Sequence, residues 1–464
     1  MKTYDLKPTY ENLYQTFLDD IIKRNQDVFR FVTALDALED SCSIALDGNW
    51  GSGKTFFIKQ AKMVLDAANE YIDTTYDENI DIEKINDARK KYYGEGNSEL
   101  QNQVCIYYDA WEHDNDDEPV FSLIYEIIKS VGCKFKKSDA SVIKAVAHAG
   151  AGFLEHFTGV NAEKVVEAFK GKDILECIKE KKDTENQVRE FLGLLLAERG
   201  NRLVIFIDEL DRCKPSYAVR LLERIKHYFS DDRITFVFSV NIKQLQHTIR
   251  KHYGEEFDAS RYLDRFFDLR MTLPPPDLRS FYEKLDFKDW YYTDDGVCGE
   301  VIKNYRFELR EITRFLQVTK IAIHTYTRSK AIYCSFADDN AQKFCMMYIV
   351  PIMIGLQICD LKRYVDFIEG NDCTPLLEIK ENLQKSGLLN YLVCADETFD
   401  KSITNSKLVS LDNRLKEVYE SIFCKVYDNA SYSCRVGKME FTKESREDLL
   451  RAVGLFSPYT SFEI

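Results

Sequence analysis

The stretch Gly48 to Thr55, GNWGSGKT, narrows the possible folds most sharply, because it is a complete G-x-x-x-x-G-K-T. A short apolar run, SIALD, ends at Asp47 just before it. After it, Phe56, Phe57, Ala61, Val64 and Leu65 recur at helical spacing. Strand, glycine-rich loop and helix in that order make a phosphate cradle. Backbone N–H groups of such a loop must turn inward onto phosphate oxygens, which requires glycine dihedrals at Gly51 and Gly53. The helix starting near Lys54 points its positive dipole end at the anion. Lys54 neutralises the β- and γ-phosphates, and Thr55 offers its hydroxyl to Mg²⁺. The expected nucleotide-binding residues are therefore Gly48, Asn49, Trp50, Gly51, Ser52, Gly53, Lys54, Thr55 and Phe56.

A second stretch, Leu203 to Arg212 (LVIFIDELDR), supplies the acids that this cradle needs. Its apolar run suits a strand buried on both faces of a parallel sheet. Asp208 at the strand end suits a magnesium ligand, and Glu209 beside it is placed to orient and deprotonate water. Phosphoryl transfer to water is mostly positioning and charge stabilisation, so adjacent acids at the metal are what the reaction requires. A third apolar run, ITFVFSVN, ends at Asn241. In sheets of this type it lies between the acid-bearing strand and the cradle strand. Asn241 then either donates to the γ-phosphate and attacking water or caps the following helix; both roles are compatible. Arg261, Arg265, Arg310 and Arg314 are the arginines considered for late charge stabilisation at the γ-phosphate, set against ordinary surface roles.

Strand-type runs at Ser43–Asp47, Val104–Asp109, Leu203–Ile207 and Ile234–Val240 alternate with helix-period segments. That order predicts a parallel α/β sheet with right-handed crossovers. The expected class is a P-loop NTPase sheet of the additional-strand, catalytic-glutamate type, with a helical insertion and a mostly α-helical C-terminal domain. The core is expected over 1–275, with a polar surface insertion at 73–103 and a helical insertion at 119–199. Pro274, Pro275 and Pro276 mark its end. A helical lid-like region is expected over 276–370 and a C-terminal helical region without an assigned role over 371–464.

Composition excludes several classes. Net charge is −14, from 63 basic and 77 acidic residues, which argues against a protein that coats nucleic acid non-specifically and leaves room only for a local basic groove. The 13 cysteines include no CxxC pair, so no structural zinc site is expected. With no secretory signal in MKTYDLKPTY, a reducing cytosol is the expected location. The apolar stretch from Phe344 to Cys359 is shorter than the roughly 20 residues that a bilayer requires. It reads as a buried helix, and no membrane span is expected. Val142 to Val160, which holds His148, Glu155 and His156, also reads as a packed helix.

Six pieces in order resemble the KAP family of P-loop NTPases. They are GNWGSGKT, YYDAWEHD (107–114), VIFIDELDRC (204–213), FVFSVNIKQL (236–245), YLDRFFDLRMTLPPP (262–276) and LREITRFL (309–316). The resemblance implies Walker A roles for Lys54 and Thr55 and Walker B roles for Asp208 and Glu209. It also implies a helical segment packing over the nucleotide, where Arg310 or Arg314 acts as a sensor. Many relatives insert transmembrane helices between the two Walker motifs; here that region is too polar. Soluble bacterial members resemble ATPase components of operons that resist phage or plasmids. His113 is left between touching nucleotide or metal and lying in a solvated loop. Asp109 and Trp111 either orient Glu209 or pack at the strand tip.

The expectation is Mg²⁺-dependent ATP hydrolysis coupled to rearrangement or assembly, in a homo-oligomer or with protein partners encoded nearby. No N-K-x-D guanine motif is present, and ATP is the default nucleotide. A slow nucleotide-dependent switch or scaffold and a DNA-stimulated motor are the alternatives.

Overall fold

The computed structural model describes residues 7–72, 81–93, 100–116, 118–134, 200–229, 231–278, 296–328, 338–379, 411–428 and 432–454, with isolated positions between. It divides into two compact units, one spanning Leu6–Asp277 and the other containing Leu278–Ile464.

The first unit is built on five parallel strands: β1 (Cys42–Asp47), β2 (Gln103–Asp109), β3 (Arg202–Asp208), β4 (Ile234–Val240) and β5 (Leu269–Thr272). Their order across the sheet is β2-β3-β4-β1-β5, and every pairing is parallel. The acid-bearing β3 is thus separated from the cradle strand β1 by β4, as the additional-strand class requires. Every residue of β3 and β4 is buried.

Side chains alternate between two layers of helices, as the two-residue period of a strand dictates. Cys105, Val204, Phe206, Val237, Ile44 and Leu46 face a layer made by α1 (Tyr10–Leu18), α2 (Asn25–Asp36), α3 (Lys54–Ala68) and α4 (Ile82–Tyr93). Ile106, Tyr108, Ile205, Ile207, Phe236, Phe238 and Val240 face α5 (Pro119–Lys134), α6 (Pro215–Tyr228) and α7 (Ile242–Tyr253). Each large apolar side chain buried in these layers contributes roughly 1.5–3 kcal/mol relative to exposure. The same alternation decides which residues reach the edge of the sheet above α3.

The second unit packs helices around one apolar rod. Asp339–Cys359 is long and apolar enough to cross a membrane by length and composition, yet 67% of its most apolar window is buried inside the protein. It packs against helices Val297–Tyr305, Leu309–Arg328 and Lys443–Gly454. A Cβ at Gly355 would stand 2.7 Å from Val301 Cγ1, so the close crossing of the rod over Val297–Tyr305 needs glycine there.

Three short strands departed from the sequence reading. β5 lies just before the prolines, and an antiparallel hairpin pairs Ser433–Val436 with Met439–Thr442 in the second unit, whose other described elements are helices. Each is four residues long, too short for period-2 alternation to stand out. Within the polar stretch 73–103, α4 forms and buries Ile85 against α3. Of the helical insertion, α5 is described; 135–190, including Val142 to Val160, lie outside the described residues.

Candidate nucleotide-binding site

The cradle forms where β1 ends and α3 begins. Gly51 has φ +86° and Gly53 φ +92°, the left-handed dihedrals anticipated for both. Gly48 sits close to the same loop: a Cβ there would stand 2.9 Å from Ser52 Oγ and 3.2 Å from Lys54 Cγ, so one of those side chains would have to shift. Lys54 is buried at the start of α3, and its ammonium donates to Gly48 O (2.6 Å) and Asn49 O (3.1 Å). Burial pushes its pKa down, against the attraction of Asp211, Asp208 and Asp47.

Asp208 is the hub. Thr55 Oγ1 donates to its Oδ2 at 2.7 Å, and the Tyr107 hydroxyl donates to the same oxygen at 3.1 Å. Ser239 Oγ and the Glu209 amide donate to Oδ1 at 2.6 and 3.1 Å. The parity of three strands explains the convergence. Tyr107, Asp208 and Ser239 all point toward the α3 side, and Asp208 lies in register with both Asp109 on β2 and Ser239 on β4. Asp47 has the opposite parity; its Oδ1 instead accepts from the Ile242 amide at the start of α7.

Glu209 follows in the left-handed region at φ +58°. Its Oε1 stands 3.0 Å from Arg212 Nη2. Burial pushes its pKa up; Arg212 opposes that, while Asp208, Asp109 and Asp211 add to it. Asp109 and Asp211 are also pushed up, chiefly by burial. Lys59, one turn beyond Thr55 on α3, lies over the Tyr107 ring at 4.0 Å and feels Asp208, Asp109 and Glu209. Four acids and two lysines therefore share one small, half-buried volume.

The residues fit a triphosphate with its divalent cation. Ser52 Oγ, between the left-handed Gly51 and Gly53, is buried with no hydrogen-bond partner. The Lys54 ammonium is curled onto loop carbonyls that phosphate oxygens would replace. The Thr55 hydroxyl and the Asp208 carboxylate are oxygen donors side by side, the set a hard cation bound mainly by phosphate and water uses. Among the described residues, no group of three or more His, Cys, Asp or Glu could hold a metal without such help.

Other anticipated residues stand as follows. Asn241 caps α7, its Oδ1 accepting from the Gln244 amide at 3.2 Å. Trp50 Nε1 donates to Asp211 Oδ2. Arg261 and Arg265 are exposed in the first unit, and Arg310 and Arg314 are exposed one turn apart on Leu309–Arg328 in the second. His113 differs from both expectations. It stacks on Tyr108 at 4.9 Å and bonds Asp116 at 3.1 Å, so it braces the turn after β2. Asp109 holds that turn by accepting from the Trp111 and Glu112 amides, and Trp111 lies against Arg212.

The sequence reading assigned no role to five residues at the site: Tyr107, Ser239, Lys59, Arg212 and Arg24. Strand parity would have found Tyr107 and Ser239. Arg24 carries no local signal; it is buried, and its guanidinium binds Ser52 O (2.8 Å) and Pro274 O (2.5 Å), clasping the cradle from outside.

Sheet order, cradle and acid-tipped strand together define a P-loop NTPase. The family model described as KAP family P-loop domain matches residues 24–324, and the chain belongs to that family. Nucleotide binding comes with that membership. An uncharacterized protein of Methanocaldococcus jannaschii is 26% identical over 27% of this chain and 84% of that protein. Among solved structures, the ORC1 protein of Aeropyrum pernix in complex with DNA is similar at 15% identity, covering 93% of this chain and 91% of that one, with a TM-score of 0.32. The ORC2 protein of the same organism, in ADPNP-ADP complexes, is similar at 12% identity, covering 88% and 93%, with a TM-score of 0.31.

Proposed function

We propose that this protein is an Mg²⁺-dependent ATPase whose turnover drives conformational change or assembly. The observation that carries the reading is the 2.7 Å bond from Thr55 Oγ1 to Asp208 Oδ2, which joins the cradle helix to the acid-tipped strand where a cation would sit. In this reading the loop amides and Lys54 hold the β- and γ-phosphates, and Thr55 and Asp208 hold the cation. Bound Mg²⁺ supplies charge neutralisation across the phosphate oxygens. Glu209 takes the proton of the attacking water, and its raised pKa brings its basicity closer to neutral pH. Asn241, while capping α7 through its oxygen, keeps an amide nitrogen to orient that water. The exposed guanidinium of Arg265, Arg310 or Arg314 suits charge delivery from a neighbouring copy or after rearrangement.

The test is turnover with purified protein. Glu209→Gln should bind ATP and lose hydrolysis, and Lys54→Ala should lose binding. Glu209→Gln that hydrolyses like the parent sinks the base assignment. Adding GTP and duplex DNA to the same assay separates nucleotide choice and a DNA-stimulated motor from the preferred reading. The family resemblance extends the proposal to a cytoplasmic role in anti-phage defence, which plaque counts with Lys54→Ala in the native operon would test.

A further inference from the structure

The loop carrying Glu209 is tied to the phosphate cradle by a second set of contacts, separate from the Thr55–Asp208 bond. A left-handed backbone costs a non-glycine residue about 1–2 kcal/mol, so Glu209 must be held there by its surroundings. Arg212 closes the turn, its amide donating to Glu209 O at 3.0 Å and its Nη2 meeting Glu209 Oε1 at 3.0 Å. The same guanidinium lies over two indoles, 5.9 Å from the Trp50 ring centre and 5.5 Å from that of Trp111. Trp50 belongs to the cradle, and its Nε1 bonds Asp211, the neighbour of Arg212. Trp111 belongs to the turn that Asp109 holds at the end of β2. Both indoles are about half exposed, at 47% and 52%, so core packing does not account for them. Indole faces on the guanidinium restrict its rotamers and leave its N–H edge for the carboxylate.

We propose that Arg212, clamped between Trp50 and Trp111, is the positioning residue of Glu209, orienting its carboxylate and coupling it to the tip of the phosphate loop. This rests on the reading of Glu209 as the base. The surrounding charges are consistent with it. Asp208, Asp109 and Asp211 and burial all favour the neutral acid, whereas Arg212 favours the carboxylate that a base must be. Lys59 on α3 adds a second cation nearby. With Arg212 removed, Glu209 keeps Lys59 as a neighbouring cation but loses the guanidinium bound to its carboxylate.

The experiment compares the parent, Arg212→Gln, Arg212→Lys, Trp111→Leu, Glu209→Gln and the double variant Arg212→Gln/Glu209→Gln. Arg212→Gln should lower kcat about tenfold or more with KM little changed, the mark of an interaction that matters to the chemical step. Arg212→Lys should recover part of that loss in kcat, and Trp111→Leu should reproduce part of it. Adding Arg212→Gln to Glu209→Gln should cost nothing further. A readout independent of turnover comes from tryptophan fluorescence in a Trp290→Phe background, which leaves Trp50 and Trp111 as the emitters. In nucleotide-free protein, acrylamide quenching of both should rise in Arg212→Gln. An unchanged kcat in Arg212→Gln, unchanged quenching, or additive loss in the double variant overturns the proposal. If instead Glu209→Gln itself retains hydrolysis, the base reading falls and takes the proposal with it.

Discussion

Replacing Asp208 with asparagine separates the folding role of this carboxylate from its chemical one. Four donors converge on it. A hydrogen bond to a charged group contributes about 1.5–3 kcal/mol and a neutral one about 0.5–1.5, so neutralising the acceptor weakens the four by roughly 4 kcal/mol in all. Against that, the variant would no longer hold a charge at a position that is 1% exposed, and removing such a burial penalty returns several kcal/mol. Coulomb terms oppose one another, because Asp109 and Glu209 repel the carboxylate while Lys54 and Lys59 attract it. The amide also fits the geometry. Its oxygen can face Ser239 and the Glu209 amide, while its nitrogen donates to the Thr55 and Tyr107 hydroxyls, which rotate to accept. The nucleotide-free first unit of Asp208→Asn should therefore keep its stability to within about 1–2 kcal/mol. Asp208→Ala strands the Glu209 N–H, which cannot turn away, and should cost about 1–3 kcal/mol more. At about 2–4 °C per kcal/mol for a unit of this size, the two variants should melt several degrees apart, the asparagine variant above the alanine one. Calorimetry without nucleotide measures the gap, and an ATPase assay with Mg²⁺ titration should show both variants inactive. Equal melting of the two would mean that the four donors do not converge as described. Normal hydrolysis by Asp208→Asn would remove the carboxylate from the metal site.

Three further outcomes follow from the geometry. In the parent enzyme kcat should fall on acidification with a midpoint above the ordinary glutamate value of about 4.3, because burial raises Glu209 and the base must be ionised; a midpoint at or below that value contradicts it. Gly51→Ala and Gly53→Ala each force a side chain into φ near +90°, at about 1–2 kcal/mol, so nucleotide affinity by calorimetric titration should drop about tenfold; unchanged affinity would mean the loop does not bind in this conformation. His113 is raised by its bond to Asp116, so its contribution is fully present below about pH 6.5 and is lost as pH rises through the higher folded value. The melting difference between the parent and His113→Gln should therefore be larger at pH 6 than at pH 8.5, and a constant difference would refute the pairing.

What the sequence made legible, and what it hid, divides along range of interaction. The dihedrals of Gly51 and Gly53 and the strand-end position of Asp208 are set by neighbours within a few residues. A reader of GNWGSGKT and VIFIDELDR has all the constraints in view. Tyr107 and Ser239 were half-legible. Each sits on a strand whose period is plain, and only the register between strands brings the two hydroxyls onto one carboxylate. Arg24 lay beyond reach, because its partners Ser52 O and Pro274 O are backbone atoms that carry no residue-type signal. Arg212 is the instructive case. It stood inside a recognised motif, yet its meaning depends on Trp50 and Trp111, which enter from two other loops. The backbone of the cradle is fixed by local geometry, whereas the placement of Arg212 against Glu209 is fixed by where three separate strands end. The orientation of Glu209 is therefore a property of the sheet as a whole, and a change at the tip of β2, far along the chain from both Walker segments, reaches it through one indole ring.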